Sequence, residues 1–403
     1  MAARASRFRT GITRFISVGS VAVAVGLVTP SLPVASGRGQ GAKPSKWAAW
    51  IEPEFPFFSS VIDAGRAGPG FPTRNLTPRG LVLNLGGGYW AGFDTDLLRV
   101  AALWKGNGLT PKALAPGSYH EPDRKTPGGQ SPAPEPNGRV WITNGIYPGW
   151  QTGDRPLLDD PREPAPSPEE VGRGPLPEQM GRLKAVRLVR DGVVLEYTAG
   201  GADVREWMTV DGHNGAPSIV RHFLVSPASR PLWLMLGFKT AEGKISLCGA
   251  TGAATLESIS TPDSSTMWAV RLPPHNEPAQ FCAAFSDGVA SPAGTTRPIP
   301  TDAPVSRWPQ EVTTSVALST GKDAYVVDDI GLPIENPWRR NVRPGDIQFL
   351  KDGTGVLVTL DGDVWFAHGL QQNVAPIRWR RFASGLHEPL TVAIRRRTCS
   401  SRA

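Results

Sequence analysis

Residues 343–390 constrain this chain more than any other stretch. The run Asp346-Ile-Gln-Phe349 passes through Lys351-Asp-Gly-Thr354 into Val356-Leu-Val-Thr-Leu360. Asp361-Gly-Asp-Val-Trp365 supplies a second turn and a third run, and Ile377-Arg-Trp-Arg-Arg-Phe382 a fourth. Short β-rich runs separated by Asp-Gly turns predict an antiparallel meander. Such a meander is the unit of a β-propeller, and a propeller closes only with about four to eight of them. No repeat long enough to make another blade occurs upstream. Soon afterwards the sequence reaches the basic, Cys- and Ser-bearing tail Arg395-Arg-Arg-Thr-Cys-Ser-Ser-Arg-Ala403. The expectation is a single incomplete blade over 343–392 and an irregular tail over 393–403.

The rest of the chain also reads as β. With 45 Gly and 40 Pro it carries many turn formers, and no helical i, i+3, i+4, i+7 pattern stands out. Residues 80–85, 89–93 and 98–104 alternate as strands around Gly86-Gly-Gly88 and Asp94-Thr-Asp96. Residues 185–190 and 193–197 flank Asp191-Gly192, the clearest hairpin signal. Strand-like runs continue through 204–210, 218–225, 232–238, 244–248, 267–272, 279–285 and 313–318. The predicted fold class is mainly β: a large antiparallel β-sandwich-like domain followed by the single blade. The boundaries expected are a leader over 1–36, a flexible linker over 37–46, the sandwich over 47–320 with long Pro/Gly loops at 111–179, and a connector over 321–342.

The first 36 residues have the parts of an export signal. Arg4, Arg7, Arg9 and Arg14 precede an apolar stretch centred on residues 21–28, and Val34-Ala-Ser36 offers a small-residue cleavage site. Gly19, Gly26, Pro30 and Pro33 interrupt the apolar stretch, so no membrane span is expected once it is removed. Export to the periplasm or beyond follows. The formal charge of +7 includes the four leader arginines. The remainder is weakly basic with scattered charges, which argues against a nucleic-acid partner. Cys248 and Cys282 lie in apolar strands, where they form either a disulfide or two buried thiols.

Several segments together resemble a known kind of protein. Phe93-Asp-Thr-Asp-Leu-Leu-Arg-Val-Ala-Ala-Leu-Trp104, Ser118-Tyr-His120, Asn144-Gly-Ile-Tyr-Pro-Gly-Trp150 and residues 172–181 resemble an uncharacterised domain of large exported bacterial proteins. Those proteins are similar to sorbosone- and glucose-dehydrogenase-like quinoproteins, often linked to cytochrome c. Asp361-Gly-Asp-Val-Trp365 and Arg381-Phe-Ala-Ser-Gly-Leu386 resemble the start of their propeller. The likeness covers roughly residues 50–392. It implies pyrroloquinoline quinone and haem c in full-length relatives. No Cys-x-x-Cys-His occurs in this chain, and a quinone site spread over several blades has no residue-by-residue counterpart here, so no cofactor is expected in this chain.

Site candidates come from residue chemistry. Trp90, Tyr119, His120, Trp141, Tyr147 and Trp150 sit near the Pro/Gly loops; flat rings with polar neighbours suit stacking on a sugar, and the same rings also suit capping a sandwich core. Glu196 and Glu206, on adjacent predicted strands, are the one carboxylate pair to weigh for a glycoside hydrolase. His387, after Gly385-Leu386, is a general-base candidate without an evident carboxylate partner. Asp352, Asp361 and Asp363 offer oxygen atoms to Ca²⁺ but read better as turn residues, and His213 with His222 lacks a third ligand; no metal site is expected.

The functional expectation is therefore an exported, truncated relative of a quinoprotein sugar or alcohol dehydrogenase, without catalytic activity by itself and with a carbohydrate-binding module. The alternatives are a stand-alone carbohydrate- or envelope-binding protein and a carbohydrate-active hydrolase. An unpaired blade carrying Trp365, Trp379 and Phe382 on an open apolar surface would favour self-association.

Overall fold

The computed structural model describes residues 15–17, 52, 54–110, 133–164, 172–213, 216–249, 253–261, 265–288, 292, 294–301, 306–371 and 376–394. Every regular element among them is a strand, and no helix among them is long and apolar enough to cross a membrane. The chain divides into two compact units, 51–305 and the combination of 1–50 with 306–403. In chain order the strands begin with β1 (Phe15–Ser17). The first unit then runs β2 (Phe57–Asp63), β3 (Leu76–Gly86), β4 (Tyr89–Asp94), β5 (Arg99–Leu109), β6 (Pro136–Thr143), β7 (Trp150–Thr152), β8 (Gly181–Val189), β9 (Gly192–Ala199), β10 (Ala202–His213), β11 (Ala216–Val225), β12 (Leu232–Lys239), β13 (Lys244–Cys248), β14 (Thr255–Ser260), β15 (Thr266–Leu272) and β16 (Ala279–Ser286). The second unit continues with β17 (Glu311–Thr314), β18 (Val316–Ala317), β19 (Val327–Ile330), β20 (Pro344–Phe349), β21 (Gly355–Thr359), β22 (Val364–His368) and β23 (Ile377–Ala383).

Unit 51–305 is a sandwich of two antiparallel sheets. One has the order β13-β16-β11-β10-β9-β8; the other runs β14-β15-β12-β6-β5-β4-β3-β2, with β7 beside β12. Their facing side chains form one core. Leu195, Tyr197, Val204, Met208, Phe223 and Phe281 come from the first sheet, and Leu83, Phe93, Leu103, Leu234 and Val270 from the second. Alternation fixes the faces, as two-residue periodicity requires. Leu195 points inward and is 1% exposed. Trp207, the register partner of Val194, lies on the other face with Val194 and Ile299.

The sequence reading missed four strands in this unit, β2, β6, β7 and β14. β6 and β7 lie inside the stretch taken as loop, and β6 bridges β5 to β12 in the larger sheet. Pro136 and Gly138 mask it, because they depress strand propensity at its start while Val140-Trp-Ile142 carries the burial.

The second unit holds the meander. β20, β21, β22 and β23 pair in sequence, with Asp346↔Val358, Leu357↔Trp365 and Ala367↔Trp379 among the partners. This is the four-stranded unit expected from 343–390. A fifth strand, β17, adds beside β23 through Val312↔Trp379. Residues 311–314 therefore join the meander, whereas the sequence spacing had set them at the end of the sandwich. A small second sheet takes β19 between β1 and β18.

The stretch read as a connector does more than connect. Leu332, Trp338 and Val342 pack on Leu357, Trp365, Ala367 and Trp379. Trp365 and Trp379 are therefore 0% and 2% exposed, and Val356 and Val358 on the opposite face are buried too. Among the rings expected on an open surface only Phe382 is exposed, and Phe349 joins it. The apolar stripe is real, but residues 330–342 cover one side of it.

Cys248 and Cys282 are register partners on β13 and β16 and form a disulfide. This settles the choice left open by the sequence. It ties the edge strand β13 to the sheet across a separation of 34 residues. Loop-closure arguments give such a link about 2–4 kcal/mol. Replacing both cysteines by Ala should lower the unfolding free energy of the full chain by that amount, read from denaturant midpoints. Wild-type protein in strong reductant should fall to the same value, and a variant as stable as the oxidised protein would show that the link contributes nothing.

Candidate functional site

The segment Asp94-Thr-Asp-Leu-Leu-Arg99 builds a rigid corner between β4 and β5. Asp94 Oδ1 accepts from the backbone N–H groups of Asp96 and Leu97 at 3.0 and 3.1 Å. Leu98 takes φ 52°, a left-handed conformation that a bulky residue adopts only when its surroundings impose it. Arg99 then returns to Asp94 Oδ2 at 3.2 Å. Its guanidinium also donates to Asn75 Oδ1, Thr77 Oγ1 and the Asn144 carbonyl. Arg99 is fully buried, and that burial pulls its pKa down while Asp94 partly restores it.

This network holds the β6–β7 loop. Asn144 Nδ2 donates to the carbonyls of Val100 and Met235, and Tyr147 donates its hydroxyl proton to Asn144 Oδ1 at 2.7 Å. Burial pushes the Tyr147 phenol up to about 12, so it stays a neutral donor. Gly149 packs against the Leu98 backbone; a Cβ there would lie 2.1 Å from the Leu98 carbonyl oxygen.

Above the corner lies an open cleft at one end of the larger sheet. Two contiguous cavities of about 710 and 590 Å³ share Thr73, Arg74, Ile146 and Leu158. The larger is polar, with Asp63, Asp159, Asp160, Arg162 and Arg173 in its wall. The smaller is flanked by Phe71, Tyr147 and Phe238. Arg162 is clamped: its Nε and Nη2 donate to Asp160 and its Nη1 to the Gly174 carbonyl. Burial alone would raise the Asp160 carboxyl, but hydrogen bonds and charge from Arg162, helped by Arg173, leave it below the usual carboxylate value. Asp160 is therefore an ionised wall residue, the reverse of the raised carboxyl that a general acid requires. Arg74 belongs to both cavities and is exposed. The cleft offers ionic contacts on one side and aromatic surface on the other.

The sequence candidates distribute differently from what their spacing implied. Trp141, Tyr147 and Trp150 are each 2% exposed, and Trp141 and Trp150 belong to the sandwich core. Trp90 is half-buried, stacks on Trp104 and donates to the Gly106 carbonyl. Of the described members of this set, Tyr147 alone lines the cleft. Tyr119 and His120 lie outside the described residues.

Glu196 and Glu206 do not converge. Glu206 is the register partner of Leu195, so successive residues of β9 and β10 send the two carboxylates to opposite faces. Glu196 is held by Arg187 and Arg205, while Glu206 is buried against Arg221 and Tyr197. They cannot flank one glycosidic bond, and the hydrolase pair is withdrawn. His387 is half-buried, and burial lowers its pKa despite the opposing charge of Glu388.

Asp361 and Asp363 anchor arginine side chains. Asp363 accepts from Arg340 Nε at 2.7 Å, Arg381 Nη2 at 3.0 Å and Ser384 Oγ at 2.6 Å. Asp361 accepts both Nε and Nη2 of Arg343. Arg381 also stacks 4.2 Å from the Trp308 ring. Gly362 between them has φ 86°, and a Cβ there would lie 2.3 Å from the Leu386 carbonyl oxygen. The motif Asp361-Gly-Asp-Val-Trp365 is thus explained by packing and turn geometry. No group of three or more His, Cys, Asp or Glu suited to a metal occurs among the described residues.

The cleft residues Asp63, Phe71, Arg74, Asp160 and Arg162 were missed from sequence. The one available signal was Asp160-Pro-Arg162, an acid and a base two residues apart inside a proline-rich loop.

Comparison with known proteins adds one match. The profile of DUF6797, a domain of unknown function, matches residues 91–206. No curated protein and no solved structure matches. The matched segment contains Asp94, Arg99, Asn144, Tyr147, Trp150, Tyr197 and Glu206, so this chain is similar to that domain where its buried polar scaffold is built.

Proposed function

We propose that residues 51–305 form a binding module for an extended polar ligand of carbohydrate type. The module belongs to an exported relative of the propeller-containing quinoprotein dehydrogenases and does not turn over its ligand. The observation that carries this reading is the two-part cleft, with charged residues around the larger cavity and Phe71, Tyr147 and Phe238 beside the smaller one. Sugars are recognised by that combination of planar hydrogen-bonding groups and ring faces. The Cys248–Cys282 disulfide supports an oxidising compartment.

Support for the dehydrogenase relationship rests on the meander over 344–383 and its Asp361–Trp365 motif. A polycarboxylate quinone needs cations around it. In the meander Arg340, Arg343 and Arg381 are committed to Asp361 and Asp363, so these residues do not fit the quinone, and no redox step is assigned to them.

A glycan array followed by calorimetry on the full chain tests the proposal. At least one oligosaccharide class should bind without being cleaved. Arg74→Ala should weaken it about tenfold or more, the scale of one hydrogen bond to a charged group, and leave unfolding unchanged because Arg74 is exposed. Loss of neither affinity nor specificity in Arg74→Ala and Phe71→Ala would remove the cleft from consideration. Release of reducing ends would overturn the non-catalytic reading.

A further inference from the structure

Residues 294–301 cross the outer face of the six-stranded sheet. Thr296 donates to the Gly249 carbonyl at the end of β13, and Gln280 of β16 donates to the Arg297 carbonyl. The Arg297 backbone N–H donates to His222 Nδ1 on β11, and its guanidinium pairs with Asp211 of β10 at 2.7 Å. Ile299 closes over Trp207 and Val194. Every strand from β13 to β9 therefore holds this strap, and His222 sits at its middle, 0% exposed.

The hydrogen bonds fix the proton on His222. The Thr209 hydroxyl has one proton, and it goes to Asp211 Oδ1 at 3.0 Å. Thr209 Oγ1 must then accept from His222 Nε2, which lies 3.0 Å away. With Nε2 protonated, Nδ1 carries the lone pair that takes the Arg297 N–H. A second proton can only go to Nδ1. It would set two N–H groups against each other and place an imidazolium beside the Arg297 guanidinium.

We propose that residues 294–301 form an acid-released strap, closed while His222 is neutral and freed when Nδ1 is protonated. The charged groups facing His222 are Asp211 on β10 and Arg297 on the strap; its β16 neighbour is Cys282, which is in the disulfide. Burial lowers the His222 pKa from 6.5 to about 4, with Asp211 opposing and Arg297 assisting. The sign follows. Between these values the open form binds the extra proton and the closed form does not, so closure is complete above about pH 6.5 and weakens as pH falls toward 4. If opening returns His222 to its ordinary value, the open fraction rises about twentyfold from pH 7 to pH 5. Release uncovers Trp207 and the outer face of β9–β11 in an acidic setting.

Hydrogen exchange on the full chain, corrected for the intrinsic pH dependence, tests this. Protection of the 294–301 amides should fall about twentyfold over that interval while β9 and β10 stay protected. His222→Gln keeps a donor and an acceptor but cannot titrate, and should abolish the dependence. Independently of any variant, ¹⁵N shifts of the wild-type His222 ring should report a neutral Nε2–H tautomer at pH 6. A charged ring or an Nδ1–H tautomer at that pH overturns the proposal, as does strap protection that does not change with pH.

Discussion

Asp363→Ala should cost the meander about 3–5 kcal/mol, the usual cost of removing one partner from a buried ion pair. Asp363 is 0% exposed and stands between Arg340 and Arg381, themselves 2% and 0% exposed at the side chain. Its carboxylate also accepts from Ser384, while its backbone N–H donates to the Thr359 hydroxyl, a bond that the substitution keeps. The substitution leaves two buried guanidinium groups without the carboxylate each was bonded to. Trp308 retains its stacking on Arg381, and the Asp361 carbonyl retains Arg340, which sets the lower end of the range. Two residues away, Asp361→Asn should cost about 1 kcal/mol or less. Its partner Arg343 is 41% exposed at the side chain and can return to water. Hydrogen exchange across 344–383 separates the two substitutions, because it reads this unit alone. Equal losses from both would mean that the turn, not the buried charge, carries the stability.

Much of the architecture was written in the sequence in a form physics can read. Asp191-Gly192 and Asp361-Gly362 mark turns because few residue pairs tolerate that backbone, and period-two alternation in β9 placed Leu195 and Tyr197 on one face. What failed was pairing across long separations. Nothing local says that β17 joins β23 across more than sixty residues, or that β6, starting with Pro136, bridges two strands of the larger sheet. The site was less legible still. Trp141 and Trp150 attracted attention as rings beside loops, yet rings of that size are usually buried, and these are. Arg74 and Arg162 carry no motif. They matter because the β2–β3 and β7–β8 loops meet in one cleft, which is a consequence of topology. The two candidate glutamates show the same limit. Adjacent strands were read correctly, but the register that sends Glu196 and Glu206 to opposite faces is decided by a single residue.

Glu206→Ala should be the most damaging polar substitution in unit 51–305, at about 3–5 kcal/mol. Glu206 and Arg221 are 0% and 1% exposed at the side chain and meet at 2.7 Å between the two sheets. Tyr197 donates its hydroxyl proton to Glu206 at 2.7 Å and accepts from the Trp150 indole at 2.9 Å, which joins the sheets through one polar chain. Burial, with the Glu206 charge added, raises the Tyr197 phenol well above its ordinary value, so it remains a donor at any pH the fold survives. Arg221 is the weak member. Its Nε is bonded to Glu206, but neither terminal nitrogen has a hydrogen-bond partner among the described residues, and the Phe223 ring lies 5.1 Å from its guanidinium carbon. An incompletely bonded buried cation costs more than its single partner returns. The pair should therefore be worth little as a pair and much as a dependence. Glu206→Ala strands the guanidinium, whereas Glu206→Leu combined with Arg221→Met should be neutral or stabilising by about 1–4 kcal/mol. Urea unfolding of the three proteins closes the cycle with wild type. A double variant as unstable as Glu206→Ala would mean that the polar chain through Tyr197 and Trp150 is itself what holds the sheets in register.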